Sequence, residues 1–299
     1  MSRVTVYEVG PRDGLQNEAA TIGTTEKIAF INQLSDAGLP VIELSAFVNP
    51  KRVAQMADAD EVCARATKRP GTRYSALVPN LAGLDRAMAV GLKEVAVFAA
   101  ASDTFSRRNI NQSVEESMAN YADVIKTAMA ADVRVRGYLS TSFGCPFEGD
   151  VPVDRVVRLT QTLLQMGVFE VAVSDTIGVA HPGQVKRVMA ALTALIEPSF
   201  LALHFHDTRG TALANVLTAL DFDIRTFDAS AGGLGGCPYA PGATGNLATE
   251  DLLYLLHGLG HETGVSLDKI IAASLSIEPV VGHPLPSRLY RATVATRAR

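Results

Sequence analysis

Short apolar runs rich in β-branched residues alternate with longer segments of helical period along the whole chain. The runs fall at Val4–Val9, Val41–Ser45, Arg73–Val78, Glu94–Phe98, Val133–Leu139, Phe169–Ser174, Leu201–Phe205 and Arg225–Ala229. Near-continuous apolarity of that length suits strands buried on both faces, as in a parallel sheet. Between them, Thr25–Ala37, Val114–Ala131, Val153–Met166, Gly183–Ile196 and Thr211–Leu220 repeat their apolar residues at helical spacing. Each is long enough to carry the chain from one parallel strand to the next.

Eight βα units predict an α/β fold, a (β/α)8 TIM barrel, with an open doubly wound sheet as the rival. The placement of polar residues separates the two. A barrel gathers function just past the C-terminal ends of many strands, whereas a doubly wound sheet concentrates it at one crevice. Here unusual polar residues follow strand after strand: Arg12, Asp13 and Gln16; Glu43; Asp175 and Thr176; His204, His206 and Asp207; Cys237. The chain, at 299 residues, exceeds the roughly 250 usual for a barrel. Further helical patterns at Thr249–Leu259 and near Leu267–Leu275, then a Pro- and Arg-bearing tail from Pro279, account for the surplus. The expected organisation is one barrel domain over 1–299, with 262–299 as a C-terminal helical extension serving as an appendage or lid.

Composition narrows the partners. A formal net charge of −4 and the lack of any Lys/Arg-rich block leave no electrostatic footprint for nucleic acid. No apolar segment approaches membrane-spanning length, and the N-terminal residues carry no amphipathic leader. Three cysteines, Cys63, Cys145 and Cys237, stand far apart with no Cys-x-x-Cys pair, which suits a reducing compartment and a cytoplasmic protein.

The richest stretch for chemistry is Gly233-Leu-Gly-Gly-Cys-Pro-Tyr-Ala240, which sets the Cys237 thiol on a glycine loop and leads on to Asn246. Glycine lets a backbone approach a ligand closely, so such a loop reads as a site where a structural cysteine would not need one. In His204-Phe205-His206 the period of a strand sends both imidazoles to one face. A lone His-x-His is more often one buried and one solvated imidazole. Its position at a strand end, with Asp207 following, favours metal ligation. Asp13, at the end of the first strand, and the amide oxygen of Asn246 would complete a set of two nitrogen and two oxygen ligands. Such a set favours a divalent ion, Mg2+ or Mn2+, with Zn2+ a lesser alternative.

Taken together these residues resemble the hydroxymethylglutaryl-CoA lyase family, related to the isopropylmalate and homocitrate synthases. The carrying segments are Gly10-Pro-Arg-Asp-Gly-Leu-Gln-Asn-Glu18, Ile42-Glu43, Ala99-Ala-Ala-Ser102, Asp175-Thr-Ile-Gly178, His204-Phe-His-Asp-Thr208 and Gly233 through Asp251. The Arg-Asp and His-x-His features fit the synthases as well. The Cys237 loop narrows the match to the lyases. The resemblance implies metal ligation by Asp13, His204, His206 and Asn246, catalysis by Arg12, Cys237, Glu43 and Asp175, and substrate contacts from Arg12, Gln16 and Thr176. It further implies cleavage of 3-hydroxy-3-methylglutaryl-CoA to acetyl-CoA and acetoacetate in leucine degradation, an acyl-CoA substrate and a homodimer.

The chemistry can also be argued from residue types. Cleavage needs the C3 hydroxyl deprotonated, by Asp13, His204 or a nearby acid; the enolate stabilised, for which Arg12 offers a permanent cation; and a carbon protonated, for which a thiol such as Cys237 is suited. Glu43 and Asp175 fit a supporting role around Arg12 and the ligands. Adjacent Arg107 and Arg108 fit a solvated face better than a CoA phosphate site, and Cys63 and Cys145 read as structural. Departures from the family pattern at Ala19, Arg209 and Thr211 keep a related branched 3-hydroxyglutaryl thioester in play, with Arg209 expected near the metal as a receptor for a further anionic group. A condensing synthase and a non-catalytic acyl-CoA-binding barrel are the remaining rivals.

Overall fold

Residues 3–236 and 245–297 are described by the computed structural model, and all statements below concern them. Small and β-branched residues fill eight strands: β1 (Thr5–Glu8), β2 (Val41–Ala46), β3 (Arg73–Leu77), β4 (Glu94–Ala100), β5 (Arg134–Ser140), β6 (Glu170–Asp175), β7 (Leu201–Phe205) and β8 (Thr226–Ala229). They pair in parallel in sequence order, and β8 pairs with β1 to close a barrel. The strand bounds agree with the sequence expectation to within two residues. The pattern is legible because strands buried on both faces leave few polar interruptions.

Helices connect the strands on the outside: α1 (Thr24–Asp36), α2 (Ala59–Arg65), α3 (Leu81–Ala89), α4 (Asp103–Ile110), α5 (Val114–Ala130), α6 (Val153–Met166), α7 (Pro182–Thr193) and α8 (Ala212–Leu220). Helix α5 starts with a capping box, in which Ser113 and Glu116 satisfy each other's backbone N–H groups. Cys63 is buried within α2, in accord with its structural reading.

After β8 come α9 (Thr249–Gly258), α10 (Leu267–Val281) and α11 (Arg288–Arg297). Helix α10 continues past the point where the sequence pattern fades, and Pro279 lies inside its last turn. A proline removes a single ladder bond there, and the buried Ile277 and Val281 hold the turn in place. The segment between α10 and α11 is no free lid. Leu285 and Tyr290 are buried, Ser287 N–H bonds the Gly232 carbonyl, and Asp251 accepts from Ser287 and from the Arg288 and Leu289 backbone. The extension therefore buttresses the exit of β8.

Registers across the last strands matter for the site. Ser174 on β6 is level with His204 on β7, and His204 with Asp228 on β8. Level residues on neighbouring parallel strands point to the same face, which brings His204 and Asp228 together.

Candidate active site

The chain leaves β1 in a wide turn, Gly10–Gly14, whose N–H groups at Arg12, Asp13 and Gly14 all converge on the Val9 carbonyl. Pro11 suits the first turn because its missing N–H would have no partner there. The turn swings Arg12 and Asp13 over the barrel mouth. Arg12 is buried, donating from Nε to Glu43 Oε2 at 2.6 Å and from Nη1 to Asp13 Oδ1 at 2.6 Å, with its guanidinium 5.4 Å from the centre of the Tyr138 ring. Tyr138 donates to the same Glu43 oxygen at 3.3 Å.

Asp13, His204 and His206 each offer a ligand atom, and these atoms lie within 4.8 Å of one another. The two imidazole centroids are 5.2 Å apart, as the alternation of a strand requires. Opposite them, Asn246 donates Nδ2 to Asp13 Oδ2 at 2.9 Å and to the Leu234 carbonyl at 3.0 Å. Its Oδ1 is buried with no partner, and so is His206 Nδ1. Buried polar atoms are almost always bonded, so two orphans beside an Asp/His cluster fit coordination of a cation. The donor set of imidazole, carboxylate and amide oxygen suits a divalent metal ion.

Electrostatics agree with ligation. Burial opposes ionisation of Asp13, but Arg12, the two histidines and the Asn246 amide hold its carboxyl down at about 2. Burial, reinforced by His204, lowers His206 to about 4 and keeps the imidazole neutral, the form that binds metals. Burial also lifts Glu43 above the usual carboxylate range, although Arg12 draws it back.

Backbone geometry lets the last loop close on this cluster. Gly235 has φ +110°, and a side-chain carbon there would fall 2.6 Å from Asn246 Nδ2 and 3.2 Å from the Asp13 carbonyl. Only glycine meets both conditions. Asn246 sits on a short bridge to His206, which the Leu247 N–H to Phe205 carbonyl bond extends.

A cavity of about 620 Å3 opens over the site; its wall includes Arg12, Asp13, Gln16, Thr176, His204 and His206, and it reaches outward to Arg52, Phe105 and Asn109. Its size is that of a small-molecule site. Gln16 Oε1 is buried there without a partner, and Thr176 Oγ1 accepts from the Thr141 N–H at 2.8 Å. Arg12, Asp13, Gln16, Thr176, His204, His206 and Asn246 are thus brought together. Glu43 lies behind Arg12. Asp175 lies apart from the cavity wall, both its oxygens taken by the Val179 and Ala180 N–H groups, and burial raises it to about 6. Cys237 falls outside the described residues.

Arg209 corrects one expectation. Its guanidinium donates to the Ile177 and Gly178 carbonyls at 3.0 and 2.8 Å and takes no part in the cavity wall. The two backbone carbonyls at the β6 exit engage the same nitrogen, Nη1, and hold the side chain there. Arg107 pairs with Asp103 and Arg108 stacks on Phe147, both away from the cavity wall. Cys145 is buried, 2.9 Å from Ser102 Oγ.

Sequence reasoning passed over Tyr138, Arg136, Asp228 and Glu8. Tyr138 touches Arg12, Glu43 and His204 at once. Arg136 and Asp228 occupy the middle of runs read only as apolar strands. A charged residue inside a doubly buried strand was the available signal.

Comparison with known proteins adds the lineage. The HMGL-like family matches residues 3–277. A hydroxymethylglutaryl-CoA lyase of Bacillus subtilis is 51% identical over 286 residues, 96% of each chain. A crystal structure of the B. subtilis HMG-CoA lyase superposes with a TM-score of 0.97 at 49% identity, covering 98% of this chain and 99% of that one. An Acinetobacter baumannii HMG-CoA lyase, solved in complex with coenzyme A and 3-methylmalate, gives 0.93 at 40% identity, covering 97% and 95%.

Proposed function

The chain belongs to the HMGL-like family, and from that premise we propose that it is a divalent-metal-dependent carbon–carbon lyase cleaving 3-hydroxy-3-methylglutaryl-CoA to acetyl-CoA and acetoacetate. The observation that carries this reading is the convergence of Asp13, His204 and His206 beside the unbonded Oδ1 of Asn246, with Arg12 on the same cavity wall. Those residues would hold the metal, Mg2+ or Mn2+ in preference to Zn2+ given two oxygen ligands, and it would supply Lewis acidity toward the C3 hydroxyl.

Once Asp13, His204 or a nearby acid has taken the C3 hydroxyl proton, the oxygen's electron pair forms the ketone of acetoacetate, the C2–C3 bond breaks, and the bonding electrons pass to the thioester as an enolate. Arg12 faces this developing charge with a guanidinium already fixed by Glu43 and Asp13, so it need not reorganise as the bond breaks. Cys237 then gives its thiol proton to the enolate carbon, leaving a thiolate. Glu43 acts by holding Arg12, and Asp175 by closing the β6 exit turn. Gln16 and Thr176 serve as polar substrate contacts. Residues 1–299 act as one catalytic domain with 262–299 as its extension.

Arg209, engaged with backbone carbonyls, gives no support to a substrate with an additional anionic group. A homodimer, a cytoplasmic location and a role in leucine degradation complete the proposal on the strength of the family and the sparse, widely spaced cysteines. The test is release of acetyl-CoA and acetoacetate from purified protein given 3-hydroxy-3-methylglutaryl-CoA, after chelation and again with Mg2+ or Mn2+ restored. Rapid, metal-restored cleavage supports the reading; metal-loaded, folded protein that leaves the thioester intact rejects it.

A further inference from the structure

Beneath the candidate metal site runs a buried chain of charges. Arg136 on β5 is fully buried in the barrel, donates Nε to Glu170 Oε1 at 2.8 Å, and grips Asp228 with Nη2 at 2.7 Å and Nη1 at 3.1 Å. The rings of Tyr7 and Tyr138 pack on its guanidinium, with centroids 3.9 and 4.9 Å away. The Asp228 oxygen that accepts from Nη1, Oδ2, also stands 3.1 Å from His204 Nδ1.

An ionised carboxylate has no proton to give, so this contact exists only if His204 carries its proton on Nδ1. Arg136 holds both oxygens of Asp228, so the carboxylate faces His204 from a fixed position. The other ring nitrogen, Nε2, lies 4.0 Å from Asp13 Oδ2, on the side of the ligand cluster. An imidazole offered to a metal needs that tautomer and that angle, and an outer carboxylate is the usual means of fixing both.

We propose that Asp228, clamped by Arg136, is a positioning residue that locks His204 in the Nδ1–H tautomer and aims Nε2 at the metal. The role rests on the reading of Asp13, His204, His206 and Asn246 as a metal site. It differs from a plain internal ion pair, because Arg136 already has Glu170 as a counter-ion and Asp228 divides its bonds between Arg136 and His204.

The test is made on metal-free full-length protein at alkaline pH by 15N imidazole NMR, with the His204 signals assigned by their loss in His204→Ala. Wild-type protein is expected to hold a single Nδ1–H tautomer. Asp228→Asn is expected to mix the tautomers and to weaken Mn2+ binding, measured by calorimetry, by about 10- to 100-fold. Arg136→Lys, which keeps the charge but loses the two-pronged grip, should weaken Mn2+ in the same direction. A tautomer mixture in the wild type, or Asp228→Asn retaining both the tautomer and the Mn2+ affinity while only the melting temperature falls, would overturn the proposal. The tautomer readout needs neither metal nor turnover, so a protein that fails to cleave the thioester still answers it. Should Asp228→Asn not fold, the wild-type spectrum and Arg136→Lys decide.

Discussion

Asn246 donates to Asp13 across 2.9 Å, although 233 positions separate the two residues in the chain. One amide thus does two things. Its N–H groups tie the loop after β8 to the turn after β1, and they leave its buried Oδ1 with no protein partner. In sequence Cys237 lies between Gly233 and Asn246, so the proposed acid and the proposed ligand share one connection.

That shared connection allows the two roles to be separated. Asn246→Ala should weaken Mn2+ binding by at least tenfold and lower turnover with it. Cys237→Ala should leave Mn2+ binding within about twofold of normal while turnover falls by the ~10^2-fold or more typical of losing a proton donor. Calorimetric titration beside a steady-state assay separates them, and equal loss of metal in both variants would reject the assignment.

Arg12→Lys should keep the charge but lose about 10^2-fold or more in kcat. A guanidinium reaches Glu43 with Nε and Asp13 with Nη1 at the same time; an ammonium is a point charge on a flexible stem and cannot span both. Near-normal turnover in the lysine variant would remove Arg12 from the enolate step.

Glu8 predicts a pH effect on stability. Its carboxyl is fully buried, accepting from the Gly10 and Ala231 N–H groups and from Thr249 Oγ1. Burial outweighs these bonds and raises it from 4.5 in the free side chain to about 7. Between those values the folded protein binds more protons than the unfolded chain, so stability falls as pH rises from about 4.5 to about 7. Glu8→Gln, whose amide can donate to Thr249 Oγ1, should gain melting temperature relative to the wild type over that interval and run parallel to it above. An unchanging difference across the interval would show that Glu8 does not titrate there.

Arg209→Met should lower stability by about 1 kcal/mol through loss of its bonds to the Ile177 and Gly178 carbonyls. It should leave the relative kcat/KM for 3-hydroxy-3-methylglutaryl-CoA and longer branched 3-hydroxyglutaryl thioesters unchanged. A shift in that preference would mean that the guanidinium reaches the acyl group after all.

The sequence by itself determined the barrel, because strands buried on both faces must be apolar and their connections must be helical, and that alternation can be counted. It also determined the candidate ligands as types, since the period of a strand alone puts His204 and His206 on one face. What it could not determine was partnership. Arg209 stands three residues after His206 yet turns to the carbonyls of another strand exit. Asp228 is nowhere near His204 in sequence and becomes its partner only because β7 and β8 pair in one particular register. Asp13 meets Asn246 only because closing the barrel brings the β1 turn against the loop after β8. Periodicity is a local property that a sequence carries in full, whereas hydrogen bonds between distant side chains depend on strand register and barrel closure, which the packing of the whole chain decides.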